Sequence, residues 1–300
     1  GGGFFSPDSV RRRVSMPTAN GDSKMEVEKV AEQLEVSLTK QQLQAVADEG
    51  KYNLVPIFAE MVADVDTPVT VYLKLRNCKG PKFLFESVAG GENIARYSFI
   101  GVRPYKVMRF GPENQLDPLR VIEKELKDIN LMPNQKVPDF TGGAVGYVGY
   151  DCVRFFEPSV KVPKEKALDI PDCIFSLYST VVCIDRVNHT MKIIYNVPLY
   201  RLHDFKQAGA QSTGRGVTVD SLYEEALAEI SRVHTMLDGP IPKPPPRQKA
   251  TNSAQKMSEM KSNVGKEGYE SFVETLKKHI KCGDIIQAVP SQRLMCPLSD

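Results

Sequence analysis

The chain has 300 residues, with 39 Lys and Arg against 37 Asp and Glu, a formal net charge of +2 and 41% hydrophobic residues. That balance excludes a strong electrostatic pull toward nucleic acid or an anionic membrane. No apolar run approaches the roughly 18 residues a membrane span requires.

Residues 1–24 are rich in Gly, Ser, Arg and Pro without apolar periodicity, and are expected to form a disordered tail. The expected location is the cytoplasm, and Arg11, Arg12 and Arg13, which give this tail some of the character of a transit peptide, keep a plastid as the alternative. The chain begins on Gly1 without a methionine and stops at Asp300 in mid-segment, so it is read as a piece of a longer protein.

Residues 25–237 form the expected first domain. Val27, Val30, Ala31 and Leu34 have helical spacing, and a further helix is expected after Thr39, with Leu43 and Val46 on one face. Thr67 to Leu75 is a β-branched run and is expected to be a strand, as are Phe83 to Val88 and Tyr105 to Phe110. Leu119, Ile122, Leu126 and Ile129 share a helical face, and Pro133 follows its end. Thr180 to Ile184 and Met191 to Val197 read as a hairpin joined by residues 185–189. Leu222, Ala226, Leu227, Ile230 and Val233 mark another helix. Adjacent strand pairs and clustered helices point to an α+β fold with an antiparallel sheet rather than regular βαβ units.

Residues 238–264 read as a proline-rich linker opened by Gly239 to Pro246, since proline extends the backbone and removes ladder donors. Tyr269, Phe272, Val273, Leu276 and Ile280 then define an amphipathic helix ended by Gly283, and Ile285 to Val289 is expected to be the next strand. Residues 265–300 are therefore the start of a second domain.

The six cysteines show no C-x-x-C spacing and are expected to be reduced thiols of a cytosolic protein. Among the motifs, Glu86-Ser87 at a strand end sets an anion beside a hydroxyl. That pair suits an ammonium group, with Ser87 and its backbone serving a carboxylate. Gly90 and Gly91 let the next loop approach a ligand, and Arg96 can pair with a carboxylate or cover a ring. The glycines of Thr141 to Asp151 lack the Gly-Lys-Ser/Thr ending of a phosphate loop, and alternation with Tyr and Val fits a closely packed strand and bend. Gln287, within Gly283 to Arg293, can hold a substrate hydroxyl but cannot serve as a proton base.

Together, Tyr52 to Pro56, Thr67-Pro68-Val69, Leu84 to Val88 with Arg96 to Gly101, Gly142 to Tyr147 and Gly283 to Arg293 resemble the large, component I subunit of anthranilate synthase. The likeness covers about 50–300 and is nearest in character to the fungal or other microbial eukaryotic branch. It implies an α+β fold in which an N-terminal domain packs on a chorismate-binding domain. It also implies conversion of chorismate and ammonia to anthranilate and pyruvate, with magnesium on the substrate carboxylate, ammonia from a glutamine amidotransferase subunit, and feedback inhibition by tryptophan. By this resemblance Ser87, Glu86 and, less directly, Arg96 belong to the tryptophan site. Gln287 stands where related isochorismate synthases carry a lysine, and a glutamine there favours amination over hydration. The magnesium ligands and most chorismate contacts are expected beyond Asp300, so the piece alone is expected to be inactive. Phe85 replaces a more usual Leu and Gly265 a more usual Ser or Thr; neither bears on function. The rival readings are an aminodeoxychorismate synthase subunit and a piece acting only as an amino-acid-binding or subunit-docking module.

Overall fold

The computed structural model describes residues 34–86, 96–111, 113–157, 159–160, 170–202, 216–243 and 260–296. The helical spacing of Val27, Val30 and Ala31 lies outside them, as does Ser87. The chain falls into two compact units, Gly1–Pro242 and Lys243–Asp300.

In the first unit, α1 (Lys40–Glu49) starts where the sequence placed it. Thr39 and Gln42 exchange side-chain and backbone hydrogen bonds in a capping box, and Gly50 closes the helix at φ 64°. Strand β1 (Leu54–Val62) follows. The expected strand over Thr67 to Leu75 is instead the helix α2 (Pro68–Lys74). Thr67 caps it, Pro68 opens it and Thr70 answers the cap, while Val71 and Leu75 bury at helical spacing. These local start signals outweigh the strand preference of the β-branched residues.

Strands β2 (Phe83–Glu86), β3 (Tyr97–Gly101) and β4 (Lys106–Phe110) precede α3 (Pro118–Leu126). Asp117 caps α3, and Ile122 is its buried anchor. Leu119, expected on the inner face, is 43% exposed. Beyond it come β5 (Gly143–Val148), a 3-10 turn over Tyr150–Phe155, β6 (Cys173–Tyr178), β7 (Thr180–Asp185), β8 (Thr190–Pro198) and the long helix α4 (Val219–Asp238). Strands β7 and β8 form the expected antiparallel hairpin, with Asp185 opposite Thr190.

The strands make two antiparallel sheets, one in the order β1-β8-β7-β3-β2 and one in the order β4-β6-β5. Clustered helices beside wholly antiparallel sheets make this an α+β fold, as expected. Alternation gives the large sheet two different faces. Ile57, Ala59, Ile100, Val182, Ile184, Ile193 and Tyr195 pack into the main core with Leu43 of α1, Val71 of α2 and Ala226, Ile230 and Val233 of α4. On the other face Phe58, Cys183 and Ile194 cluster with Tyr97, Phe99 and Val137. Phe140 meets Phe99 edge-on at 5.2 Å, and Phe83 meets Tyr178 at 5.0 Å, which joins this face to the smaller sheet.

In the second unit β9 (Lys261–Ser262) pairs with β10 (Leu294–Met295), and α5 (Gly265–Lys281) lies between them. Gly283, at φ 82°, stands after the helix end as the sequence indicated. The expected strand at Ile285 to Val289 is absent: these residues join no ladder. Asp284 is tied back to the helix end through His279, by its N–H to the His279 carbonyl at 3.0 Å and its carboxylate to Nδ1 at 2.7 Å. Pro290 then removes a ladder donor. The apolar stripe of α5 is uncovered among the described residues, with none of its side chains buried.

Candidate functional site

One end of the large sheet gathers Glu86 and Arg96, two of the residues the sequence singled out in the first unit. Glu86 ends β2 and lies opposite Ser98, while Arg96 immediately precedes β3. The β7–β8 turn, residues 185–190, stands at the same end because β3 pairs with β7, Tyr97 lying opposite Asp185. Sheet register alone thus brings three stretches of sequence together.

Arg96 is committed to Asp185. Its Nε donates to both carboxylate oxygens at 3.1 Å, and Nη2 donates to Oδ2 at 2.6 Å. The guanidinium also lies over the Tyr97 ring, 4.9 Å from its centroid. Asp185 is 5% exposed. Burial alone would raise its carboxyl, but the Arg96 guanidinium and the backbone N–H groups of Asn188 and Val187 outweigh burial and hold it below the usual carboxylate range. Glu86 forms an ion pair with Arg186, the next residue of the same turn. Both motif residues are therefore held by successive residues of one hairpin.

Arg96 borders an open groove of about 330 Å³ on the face of the sheet away from α1, α2 and α4. Tyr97, Cys183, Asp185, Lys192 and Glu60 form its floor, and residues 135–138 form one wall. Lys192 pairs with Glu60 at 3.3 Å and sits 5.7 Å from the centre of the Phe58 ring. Burial pushes the Cys183 thiol up to about 12 and raises the Tyr97 hydroxyl too, so neither is a nucleophile or base near neutrality. The groove offers cations, carboxylates and an aromatic face, a combination that suits a small zwitterion with an apolar side chain.

Glu86 does not line this groove. By strand alternation it follows Leu84 on the helix-bearing face. The structure therefore gathers Glu86 and Arg96 at one sheet end but sets only Arg96 in the cavity. Gln287 lies in the second unit, exposed in the stretch that joins no ladder. Sequence reasoning missed Glu60, Asp185 and Lys192. The available signal was a lone charge inside an apolar strand, Glu60 in Leu54–Val62 and Lys192 in Thr190–Pro198.

Among the described residues no group of three or more His, Cys, Asp and Glu side chains is arranged to hold a metal ion. Among them, too, no helix is long and apolar enough to cross a membrane.

The glycine-rich motif proves structural. Gly146 in β5 packs directly on the β6 backbone, and the Asn196 amide donates to the Thr141 carbonyl at 2.7 Å, beside Gly142.

The sequence profile of the chorismate binding enzyme family matches residues 80–300. The chain belongs to that family. Among curated proteins, the probable anthranilate synthase component 1 of Schizosaccharomyces pombe is 40% identical over 253 residues, covering 84% of this chain and 47% of that protein. Anthranilate synthase component 1 of Saccharomyces cerevisiae is 38% identical over 267 residues, covering 86% of this chain and 49% of that protein. Both are fungal, in keeping with the branch the motifs suggested. The chain spans about half the length of the curated relatives it matches. A crystal structure of anthranilate synthase component I from Streptococcus pneumoniae TIGR4 aligns with a TM-score of 0.48 at 21% identity, covering 80% of this chain and 49% of that one.

Proposed function

We propose that the chain is part of the large subunit of an anthranilate synthase, which converts chorismate and ammonia to anthranilate, pyruvate and water. The observation that carries this reading is the family match over residues 80–300 together with Gln287 inside it. In the proposed reaction nitrogen forms a bond to the ring carbon beside the carboxylate, and the ring hydroxyl leaves as water. Loss of a ring proton then expels the enolpyruvyl group as pyruvate and leaves the aromatic amine. A carboxamide at Gln287 can orient a substrate oxygen, but it has no basic site with which to activate water. Ammonia is already a nucleophile and needs no such base.

Magnesium belongs to the proposal as a Lewis acid on the substrate carboxylate. Among the described residues no cluster of acidic, His or Cys side chains is arranged to hold it. The phrase "component 1" in the names of the relatives supports a second component, which we take to be a glutamine amidotransferase supplying ammonia. Tryptophan is proposed as the feedback ligand of the sheet end that carries Glu86 and Arg96, and Ser87, next to Glu86 in the sequence, belongs to the same proposal. The charged and aromatic lining of the groove beside Arg96 supports an amino-acid ligand there. A cytoplasmic location is proposed on the reduced thiols: all six cysteines are free, and Cys78, Cys152, Cys173 and Cys183 are buried.

Gln287→Lys, placed in a chain extended to the full length of its relatives, tests the role of the amide. Anthranilate formation from chorismate and ammonium salts, followed by product fluorescence, is expected to fall at least about a hundredfold, because a misplaced substrate oxygen alone costs that much. An unchanged rate would remove Gln287 from the site.

A further inference from the structure

Asp185 is anchored independently of Arg96. The backbone N–H groups of Val187 and Asn188 donate to Oδ1 at 3.0 and 3.2 Å, and the Asn188 amide donates to Oδ2 at 3.1 Å. The carboxylate is thus built into the turn and nearly buried. It meets the guanidinium of Arg96 along the Nε and Nη2 edge. Among the described residues Nη1 makes no hydrogen bond. A guanidinium gripped along one edge keeps its orientation and leaves the remaining donors for a second acceptor.

We propose that Asp185 is a positioning residue of the amino-acid site, fixing Arg96 so that its remaining donors face the groove and receive the carboxylate of the ligand. This rests on reading that sheet end as a tryptophan site, and it adds the residue that orients the carboxylate donor. On this reading the ligand carboxylate is the group whose binding depends on Asp185.

Binding is read by titration calorimetry, so that any tryptophan beyond the 300 residues, which themselves contain none, does not interfere. The test compares tryptophan with tryptamine, which lacks only the carboxylate. It uses the chain at the full length of its relatives, as wild type and as Asp185→Asn. Asparagine keeps an oxygen for the turn N–H groups but loses the charge that grips Arg96.

Wild type is expected to bind tryptophan at least about tenfold tighter than tryptamine, the gain from a charge-assisted contact. Asp185→Asn is expected to bring the two ligands within about twofold of each other, chiefly by weakening tryptophan. Asp185→Glu moves the carboxylate by one methylene and serves if the asparagine variant does not fold; the same loss of preference is expected. A purely structural role would weaken both ligands equally, and that result overturns the inference, as does a preference retained by both variants. If wild type binds neither ligand, the tryptophan reading itself falls and takes the inference with it.

Discussion

Lys74→Ala is expected to lower the unfolding free energy by about 3 kcal/mol, the cost of removing one partner from a buried ion pair. Lys74 ends α2, and its Nζ donates to Asp66 at 3.0 Å and to the Leu237 carbonyl, in the last turn of α4, at 2.7 Å. The side chains of Lys74 and Asp66 are each only 9% exposed. Alanine leaves the Asp66 carboxylate with the Thr70 hydroxyl, 3.0 Å from Oδ1, and no cation. It also strips a cation from the negative end of the α4 dipole. Asp66→Asn in the same chain removes the stranded charge and is expected to restore part of the loss. Reversible urea unfolding measures both variants. A loss below about 1 kcal/mol would mean that the pair is solvated like an ordinary surface salt bridge.

Gly146→Ala is expected to cost about 3 kcal/mol or to part β5 from β6, the upper range for forcing extra volume into a packed site. A Cβ at Gly146 would stand 1.8 Å from the Ile174 carbonyl oxygen and 2.8 Å from the Phe175 Cα. Both are backbone atoms of β6, so no side-chain rotation relieves the clash. Gly50→Ala is the matched comparison, because a Cβ there meets nothing within 4 Å and the cost comes only from its φ of 64°. That cost is about 1 kcal/mol. Melting curves of the two variants should therefore separate clearly. Equal losses would show that the motif serves backbone conformation rather than close strand contact.

These variants probe what the sequence made legible and what it hid. Local signals carried well. The Thr39 cap, the β7–β8 hairpin and the apolar spacing of α4 each rest on residues a few positions apart, and the structure follows them. The α2 region carried two local signals at once. Its β-branched composition suggested a strand, while Thr67-Pro68 with Thr70 spelled a helix start, and the capping energetics prevailed. At Ile285 to Val289 the apolar run was read without a partner, and an apolar run becomes a strand only where a neighbour supplies its hydrogen bonds.

The site divides in the same way. Glu86 and Arg96 were visible because a linear motif carries both. Their partners were not, since Arg96 meets Asp185 across 89 positions and Glu86 meets Arg186 across 100. Those pairings follow from the order β2-β3-β7, which no single stretch of sequence specifies. The groove was hidden for the same reason, because Glu60 and Lys192 come together only through the pairing of β1 with β8.

The central functional claim concerns which atom attacks the ring, and isotopes decide it. A chain extended to the full length of its relatives would receive chorismate, magnesium and heavy-nitrogen ammonium in heavy-oxygen water, with products resolved by mass spectrometry. The account predicts an aromatic amine with heavy nitrogen on the carbon beside the carboxylate and no heavy oxygen on the ring. A ring hydroxyl carrying heavy oxygen, or heavy nitrogen at a different ring carbon, would contradict it.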